Sequence, residues 1–296
     1  MAKSAIHQKI EALDAKNDAW EIVRLSVFYE FPWDFNRALE LALYKTFAVP
    51  SIAAILHNSK EFEKHPQKRY DDTDLILSEI IENGFNERGL QVIERLNWIH
   101  SNYKITNEDF LYVLSTFVFD SADWINKYGY RKLTRNEELA GFYIWKDIGE
   151  KMHIQDIPES IETFKKYHDD YEAEHFQFSE ANIKVARATE DLMLGWYLPK
   201  FMFGIARPFL YAVMQPHLLK AFYYNEPGAF LRGLVTASLR FRSIVSSWFP
   251  RKTPYLRTRD FEHKAYPNGY TLNELGPEKL IKAPSCPFHK VTAVFK

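Results

Sequence analysis

Apolar residues recur every three or four positions along most of this chain, and that spacing is the strongest constraint on its fold. One face of an α-helix repeats at this interval, whereas a half-buried strand alternates every second residue. The sequence holds no alternating run of useful length. We therefore predict an all-α protein, with residues 1–250 as one globular helical domain and residues 251–296 as an irregular extension packed on it.

Eight segments carry the helical spacing, with turn or capping residues between them. Thr106 with Asp109, and Thr134 with Glu137, have the spacing of helix-capping boxes. Ten of the 14 prolines lie at or after Pro199, which predicts broken helices and an irregular tail in that part of the chain. The expected helices span residues 21–30, 34–47, 73–82, 88–103, 106–129, 134–151, 158–178 and 179–197.

One cysteine and 11 glycines exclude several kinds of site. A single thiol cannot form a disulfide framework, a cysteine-rich zinc module, an iron–sulfur cluster or a C-x-x-C-H haem attachment. Cys286 lies among prolines in the tail without the context of a reactive thiolate, and we interpret it as a bystander. The glycine-rich motifs of Rossmann and P-loop nucleotide sites, and the nucleophile, zinc-protease and kinase signatures, are absent from the sequence.

Charge is distributed unevenly along the chain. Residues 200–296 carry 15 Lys and Arg against five Asp and Glu, while residues 1–199 carry 23 against 34. A basic third of this kind is either a solvated face or a contact with an anionic membrane, and the apolar, basic stretch from Trp196 to Arg242 is the candidate for such contact. No nucleic-acid motif accompanies it. We expect no signal peptide and no spanning helix, and therefore a cytoplasmic protein with possible peripheral membrane contact.

His100 stands at the end of an otherwise apolar helical stripe. Ile93, Leu96, His100 and Tyr103 share one face of the helix predicted over residues 88–103. A buried neutral imidazole on a helix is a good haem-iron ligand. The same position also suits a core histidine that is satisfied by a backbone carbonyl. The helix alone leaves both interpretations open.

A dense polar string, Lys68 to Thr73, leads into the helix predicted from residue 73. If the string is helical, Arg69 and Thr73 share a face and offer a positive charge and a hydroxyl to bound dioxygen or a propionate. The alternative is that Asp71, Asp72 or Thr73 caps the helix N-terminus.

Two E-x-x-H spacings, Glu150 with His153 and Glu172 with His175, raise the alternative of a di-iron carboxylate bundle. That arrangement requires a helix with a lone glutamate between the two E-x-x-H helices. Only 18 residues separate His153 from Glu172, so the order of elements disfavours it.

Eight segments, taken in order, resemble the catalytic domain of the MpaB and rubber-oxygenase (latex-clearing-protein) family, and the fungal MpaB branch more than the rubber-cleaving branch. They cover about residues 25–280. The segments are Tyr29-Glu-Phe-Pro-Trp-Asp34, Ala42-Leu-Tyr-Lys-Thr-Phe-Ala-Val-Pro50, Lys68-Arg-Tyr-Asp-Asp-Thr73, Arg95-Leu-Asn-Trp-Ile-His100, Ile105-Thr-Asn-Glu-Asp-Phe-Leu-Tyr112, Tyr130-Arg-Lys-Leu-Thr134, Glu138-Leu-Ala-Gly-Phe-Tyr-Ile-Trp145 and Tyr266-Pro-Asn-Gly-Tyr270 through Leu275-Gly-Pro277.

The resemblance implies an all-helical domain that encloses a pocket for haem b, with His100 as the proximal iron ligand. Arg69 and Thr73 match the family's R-x-x-x-T pair beside the haem. The rubber-cleaving branch has a lysine just before that threonine, where this chain has Asp72. We expect Asp72 to act as a base near the substrate or as the helix cap.

The implied function is oxidative cleavage or oxidation of a C=C bond by dioxygen, on an apolar substrate of the isoprenoid or prenylated class. Aromatic residues make up 16% of the chain. Rings at helical spacing, such as Phe110, Phe117 and Trp124, are expected to fill the core or line the haem and substrate cavity. A non-catalytic module that binds haem or lipid remains the alternative.

Overall fold

The computed structural model describes residues 4–282, which form helices and contain no strand. This confirms the all-α prediction. Short 3₁₀ turns lie at Lys200–Met202 and Leu272–Glu274, and a π-helical turn at Ser26–Glu30. The α-helices of this part of the chain are α1 (Ala5–Ala12), α2 (Ala19–Leu25), α3 (Pro32–Thr46), α4 (Pro50–Ser59), α5 (Glu61–Lys64), α6 (Pro66–Asn83), α7 (Glu87–Ser101), α8 (Asn107–Tyr128), α9 (Arg135–Lys151), α10 (Ile161–His175), α11 (Glu180–Gly195), α12 (Phe203–Tyr211), α13 (Pro216–Ala221), α14 (Ala229–Ser247), α15 (Arg257–Asp260) and α16 (Glu278–Ile281).

Helix α8 is the central element of the fold and packs against α3, α9 and α10. The largest buried cluster joins α8 to α2, α6, α7 and α9, and includes Leu75, Ile80, Val92 and Leu114. Burying one such aliphatic side chain stabilises the fold by about 1.5–3 kcal/mol. This core fixes α6 and α7 side by side, and these are the helices that carry Arg69 and His100.

The caps predicted at the starts of α8 and α9 are confirmed. Thr106 Oγ1 accepts a hydrogen bond of 3.1 Å from the backbone N–H of Asp109. Thr134 and Glu137 form a complete capping box, in which each side chain accepts from the backbone N–H of the other. These interactions satisfy N–H groups that have no partner inside the helix.

The predicted start of α6 at residue 73 is wrong, because the helix begins at Pro66. Proline suits a first helical position, and no helix-breaking residue follows it before residue 73. Asp71, Asp72 and Thr73 therefore lie inside the helix, and none of them is its N-cap. The predicted start of α10 at Pro158 is likewise wrong, because Ser160 caps a helix that begins at Ile161.

The segment after Pro250 packs along α6 and is held there by ion pairs and hydrogen bonds. Arg257 Nε lies 2.7 Å from Asp74 Oδ1, and Lys68 Nζ donates to the carbonyl of Gly276 at 2.8 Å. The division into residues 1–250 and 251–296 stays a prediction. The bystander interpretation of Cys286 falls outside the described residues.

Within residues 4–282, no single helix has both the length and the apolar composition needed to cross a membrane. Helices α3 and α4 pass that test only when taken together, and they are bent by 98° at their junction.

Candidate functional site

A cavity of about 260 Å³ lies between α3, α4, α6, α7, α8, α9 and α11. Most of its wall is aliphatic or aromatic, as in ligand sites that bind apolar molecules. Phe117 and Trp145 stack in this wall with ring centroids 4.5 Å apart, and Phe110 joins them. Trp124 packs elsewhere, against Tyr128, so only two of the three predicted rings face the cavity.

His100 reaches the cavity from the last turn of α7. Its ring centroid lies 5.2 Å from that of Phe110. The Nδ1 atom is buried and has no hydrogen-bond partner among residues 4–282. Burial, and after it the positive charge of Arg69, lowers the pKa of His100 to about 4. The imidazole is thus neutral at physiological pH and still has a free nitrogen.

Arg69 and Thr73 line the same cavity from α6. They are one turn apart, and Arg69 Nη1 donates a hydrogen bond to Thr73 Oγ1, whose hydroxyl donates to the Arg69 carbonyl at 3.0 Å. No carboxylate of residues 4–282 forms an ion pair with Arg69, and burial lowers the pKa of its guanidinium. A buried cation that no carboxylate contacts directly is costly, so this position favours an anionic or polar ligand group.

Asp72 does not belong to the cavity wall. Both of its carboxylate oxygens lie 2.9 Å from Lys68 Nζ, and the hydroxyl of Tyr266 donates to Oδ1. Lys68 also donates to the carbonyl of Glu274 at 3.0 Å. Burial raises the pKa of the Asp72 carboxyl despite the charge of Lys68. The contacts of Asp72 fasten the C-terminal segment to α6.

The polar part of the cavity wall was not predicted from the sequence. Glu40 of α3 lies there and accepts a hydrogen bond of 2.6 Å from the hydroxyl of Tyr70, with Arg37 Nη2 also 2.6 Å away. Burial raises the pKa of Glu40. Asp74 completes this part of the wall. A glutamate on an amphipathic helix ordinarily faces solvent, so the spacing along α3 gave no signal that Glu40 faces inwards.

A second buried group of charges lies beside α3, outside the cavity wall. Asp120, His168 and Glu172 offer donor atoms within 4.8 Å of one another, a spacing compatible with a metal ion. Lys45 Nζ lies 2.5 Å from both Asp120 Oδ1 and Glu172 Oε1. An ammonium already occupies the position where this donor set would hold a cation, so the group is a buried ion-pair network.

The pKa shifts in this network agree with that interpretation. Burial alone lowers the pKa of Lys45, but the charges of Asp120 and Glu172 raise it overall. Burial alone raises the pKa of Glu172, but hydrogen bonds with His168 and His217, together with Lys45, lower it overall. The ammonium and the Glu172 carboxylate are therefore both ionised at neutral pH.

The two E-x-x-H spacings do not converge on a metal site. Glu150 and His153 are exposed at the end of α9, and His175 stacks on Tyr171 with ring centroids 4.0 Å apart. Glu172 pairs with His168, one turn earlier, at 3.1 Å. Of these four predicted ligands, only Glu172 belongs to the buried donor group.

The chain matches a family model and several proteins of known name. The family model described as "ER-bound oxygenase mpaB/B'/Rubber oxygenase, catalytic domain" matches residues 37–235. A protein named "ER-bound oxygenase mpaB'" from Penicillium brevicompactum is 27% identical over 244 residues, which are 76% of this chain and 57% of that protein. One named "ER-bound oxygenase mpaB" from Penicillium roqueforti (strain FM164) is 28% identical over 228 residues, 71% of this chain and 76% of that protein. The chain thus spans little more than half the length of the first of these relatives.

Proposed function

This chain belongs to the family of MpaB and rubber-oxygenase catalytic domains, and we propose that it is a haem b-dependent oxygenase. We further propose that its substrate is an apolar molecule with an isoprenoid chain, which dioxygen cleaves or oxidises at a C=C bond. The names of the matched relatives support an oxygenase. Haem dependence and the substrate class are proposals for this chain.

The proposal rests mainly on the protonation and the hydrogen bonding of His100. His100 lines an apolar cavity, its imidazole is neutral, and its buried Nδ1 has no hydrogen-bond partner among residues 4–282; these features fit a haem-iron ligand on a helix. A core histidine would have satisfied that nitrogen with a carbonyl or hydroxyl. When bound, the haem would supply the activation of dioxygen, and the protein would supply its ligand, orientation and surroundings.

The remaining cavity residues fit supporting roles. Arg69 would hold an anionic group, either a haem propionate or reduced dioxygen, and Thr73 would fix the guanidinium in place. The aliphatic and aromatic wall would bind the isoprenoid chain and exclude water. Asp72 remains a candidate base from the sequence, but its contacts favour a positioning role.

The visible absorption spectrum of the purified full chain tests haem binding. We expect a Soret band and one haem per chain, with both lost in His100→Ala. The matched control is His153→Asn, which changes an exposed histidine at a positive φ that asparagine tolerates, and it should retain the haem. A chain that takes up no added haem, or a His100→Ala variant that binds it normally, would refute the proposal.

Substrate class is tested by oxygen consumption. A prenylated aromatic compound should support oxygen uptake by the haem-loaded protein, and the same compound with its side chain hydrogenated should not, because the C=C bond is the reacting group. Haem binding without uptake on any prenylated compound would indicate a module that only binds haem or lipid. Iron without porphyrin would indicate the di-iron alternative.

We also propose that the protein works in the cytoplasm at a membrane surface, as a peripheral protein. The matched relatives are named ER-bound, which supports association with a membrane. An apolar substrate of this class would itself partition into lipid.

A further inference from the structure

Helix α14 carries an apolar stripe that no described residue covers. Phe230, Leu234, Phe241 and Trp248 recur at helical spacing along it and onto its C-cap. Phe230 is 85% exposed, Phe241 67% and Trp248 61%. Ser243 is the only buried residue of this 19-residue helix. An amphipathic helix normally packs its apolar face against the protein core. The aromatic rings of α14 instead point away from the core.

A second apolar stripe lies on the 3₁₀ turn at Lys200–Met202 and on α12, which follows it. Phe201, Ile205 and Phe209 follow at intervals of four residues, and the first two are 84% and 72% exposed. Helix α12 contacts α14, so the two stripes lie in the same region of the molecule. Single exposed apolar residues are ordinary, but a run of large rings on adjacent helices marks an interaction surface. We call this surface the aromatic face; its members are Phe201, Ile205, Phe209, Phe230, Leu234, Phe241 and Trp248.

The charges around the aromatic face have one sign. Between residues 192 and 259 the chain has ten Lys and Arg and a single acidic residue, Glu226. Lys200, Arg240 and Lys252 are exposed and form no ion pair within residues 4–282. Exposed rings flanked by unpaired cations are the composition of protein surfaces that lie in the interface of an anionic bilayer.

The aromatic face also lies next to the cavity along the chain. Leu192 and Met193, near the end of α11, belong to the cavity wall, and Phe201 follows shortly after them. Between them, the Trp196 ring packs edge-on against Tyr70, a wall residue, with centroids 4.8 Å apart. Trp196 thus connects the start of the aromatic face to the cavity wall through its contact with Tyr70.

We propose that the aromatic face docks this protein on an anionic lipid bilayer. The rings insert among the headgroups, and Lys200, Arg240 and Lys252 contact lipid phosphates. A bilayer fits better than a protein partner, because a protein surface ordinarily presents both signs of charge and a bilayer with acidic lipids presents one. This docking rests on the proposed peripheral association with a membrane and assigns a surface to it. It is independent of haem binding, so its failure would not refute the proposed oxygenase, and failure of the oxygenase would not refute it.

Co-sedimentation of the full chain with vesicles tests the proposal. Binding is expected to vesicles of phosphatidylcholine with phosphatidylserine, to weaken on phosphatidylcholine alone, and to fall as salt rises. Neutralising one cation, as in Arg240→Gln, should weaken binding about fivefold, which corresponds to about 1 kcal/mol per basic residue near such a surface. Phe230→Ser with Phe241→Ser should weaken it at least tenfold.

Matched controls separate this surface from general effects. Leu90→Ser removes a 42% exposed apolar side chain on α7, and Lys132→Gln removes an exposed cation between α8 and α9; both should bind as the parent does. All variants should keep the parent's circular dichroism, because the altered side chains are exposed.

Three outcomes would overturn the proposal. The first is a parent chain that binds neither kind of vesicle. The second is binding that the Phe230 and Phe241 changes leave intact. The third is a parent dimer, seen by light scattering, that these changes dissociate without any vesicle binding; the aromatic face would then be a contact between two copies of the chain.

Discussion

Arg69 and His100 face the same cavity from neighbouring helices, and the guanidinium adds to burial in lowering the pKa of the imidazole to about 4. The ring is held neutral by its surroundings, and the cation beside it has no carboxylate partner among the described residues. The cation without a paired carboxylate costs stability in the ligand-free protein, and the buried imidazole does so in mild acid, where the unfolded chain would protonate it. Both would be relieved by a ligand that combines a metal centre with anionic groups.

The lowered pKa of His100 should make the ligand-free protein less stable in mild acid. Well above pH 6.5 the imidazole is neutral in both the folded and the unfolded chain and has no effect on the free energy of unfolding. Between pH 6.5 and about 4 the unfolded chain takes up a proton that the folded chain does not, so the free energy of unfolding decreases, by up to about 3 kcal/mol in all.

Urea unfolding at several pH values measures this effect as the difference between the parent and His100→Phe. The difference should change in that window and be flat above it. His153→Asn should follow the parent at every pH. A pH-independent difference would contradict the assignment of a buried neutral imidazole.

Arg69→Met should separate stability from haem retention. The change removes a buried cation that lacks an anionic partner, so the ligand-free protein should keep its stability or gain some. The variant also loses the group proposed to hold a haem propionate or reduced dioxygen. Haem affinity, measured by titration, should fall about tenfold to a hundredfold, which corresponds to the 1.5–3 kcal/mol of a charged hydrogen bond.

The conservative changes at the same pair sharpen that test. Thr73→Val keeps the shape of the side chain but removes the oxygen that Arg69 contacts, so it should weaken haem binding less than Arg69→Met does. Arg69→Lys keeps the charge but not the forked geometry, and should restore affinity only in part. If all three variants bound haem as tightly as the parent does, Arg69 and Thr73 would not contact the haem.

Asp72→Asn should act on stability and leave the chemical step nearly unchanged. Its side chain is 4% exposed and pairs with Lys68 away from the cavity wall, so loss of its charge leaves a largely buried ammonium unpaired. We expect a loss of about 1–3 kcal/mol in urea unfolding. Lys68→Met should cost a similar amount, and the double variant should show that the two effects are not additive.

Turnover by the haem-loaded Asp72→Asn variant decides between positioning and base catalysis. A positioning residue predicts kcat within a few-fold of the parent and an unchanged pH profile. Loss of turnover by two orders of magnitude or more, with loss of the limb of the pH profile that reports a base, would restore the base assignment.

The sequence predicted α7 and α8 well because local signals agree there. The apolar stripe through Leu96 and His100 and the cap at Thr106 depend on residues three or four apart, and the structure preserves both. The start of α6 was placed too late because Asp71, Asp72 and Thr73 are all good caps. Hydrogen bonds from the C-terminal segment, not capping, explain two of these carboxylates: Asp71 accepts from the backbone N–H of Ala265, and Asp72 accepts from the hydroxyl of Tyr266.

The inward orientation of Glu40 and the pairing of Lys45 with Asp120 could not be predicted from spacing. Each depends on a partner that is distant in sequence: the hydroxyl of Tyr70 for Glu40, and a carboxylate 75 residues away for Lys45. A single sequence records which residues share a helix face, but not which face of another helix they meet. The E-x-x-H spacings failed for the same reason, since Glu172 turned towards Lys45 and His153 towards solvent.

Lys45 should determine whether the buried acidic group can take a metal. In the parent its ammonium lies 2.5 Å from Asp120 and from Glu172, so added Zn²⁺, Mn²⁺ or Fe²⁺ should not raise the thermal unfolding temperature. Lys45→Met leaves two buried carboxylates without a cation and should cost about 3–5 kcal/mol. Lys45→Ala should cost at least as much, but it also opens space beside Asp120, His168 and Glu172.

A divalent ion added to Lys45→Ala should therefore recover part of the lost stability, because it replaces the missing cation among three donors. Lys45→Ala with His168→Ala supplies the control, since removal of one donor should abolish the recovery. If these ions stabilised the parent, they would displace the Lys45 ammonium, and the group of Asp120, His168 and Glu172 would then be a metal site. No recovery in Lys45→Ala would show that the three donors cannot converge on an ion even when the ammonium is gone.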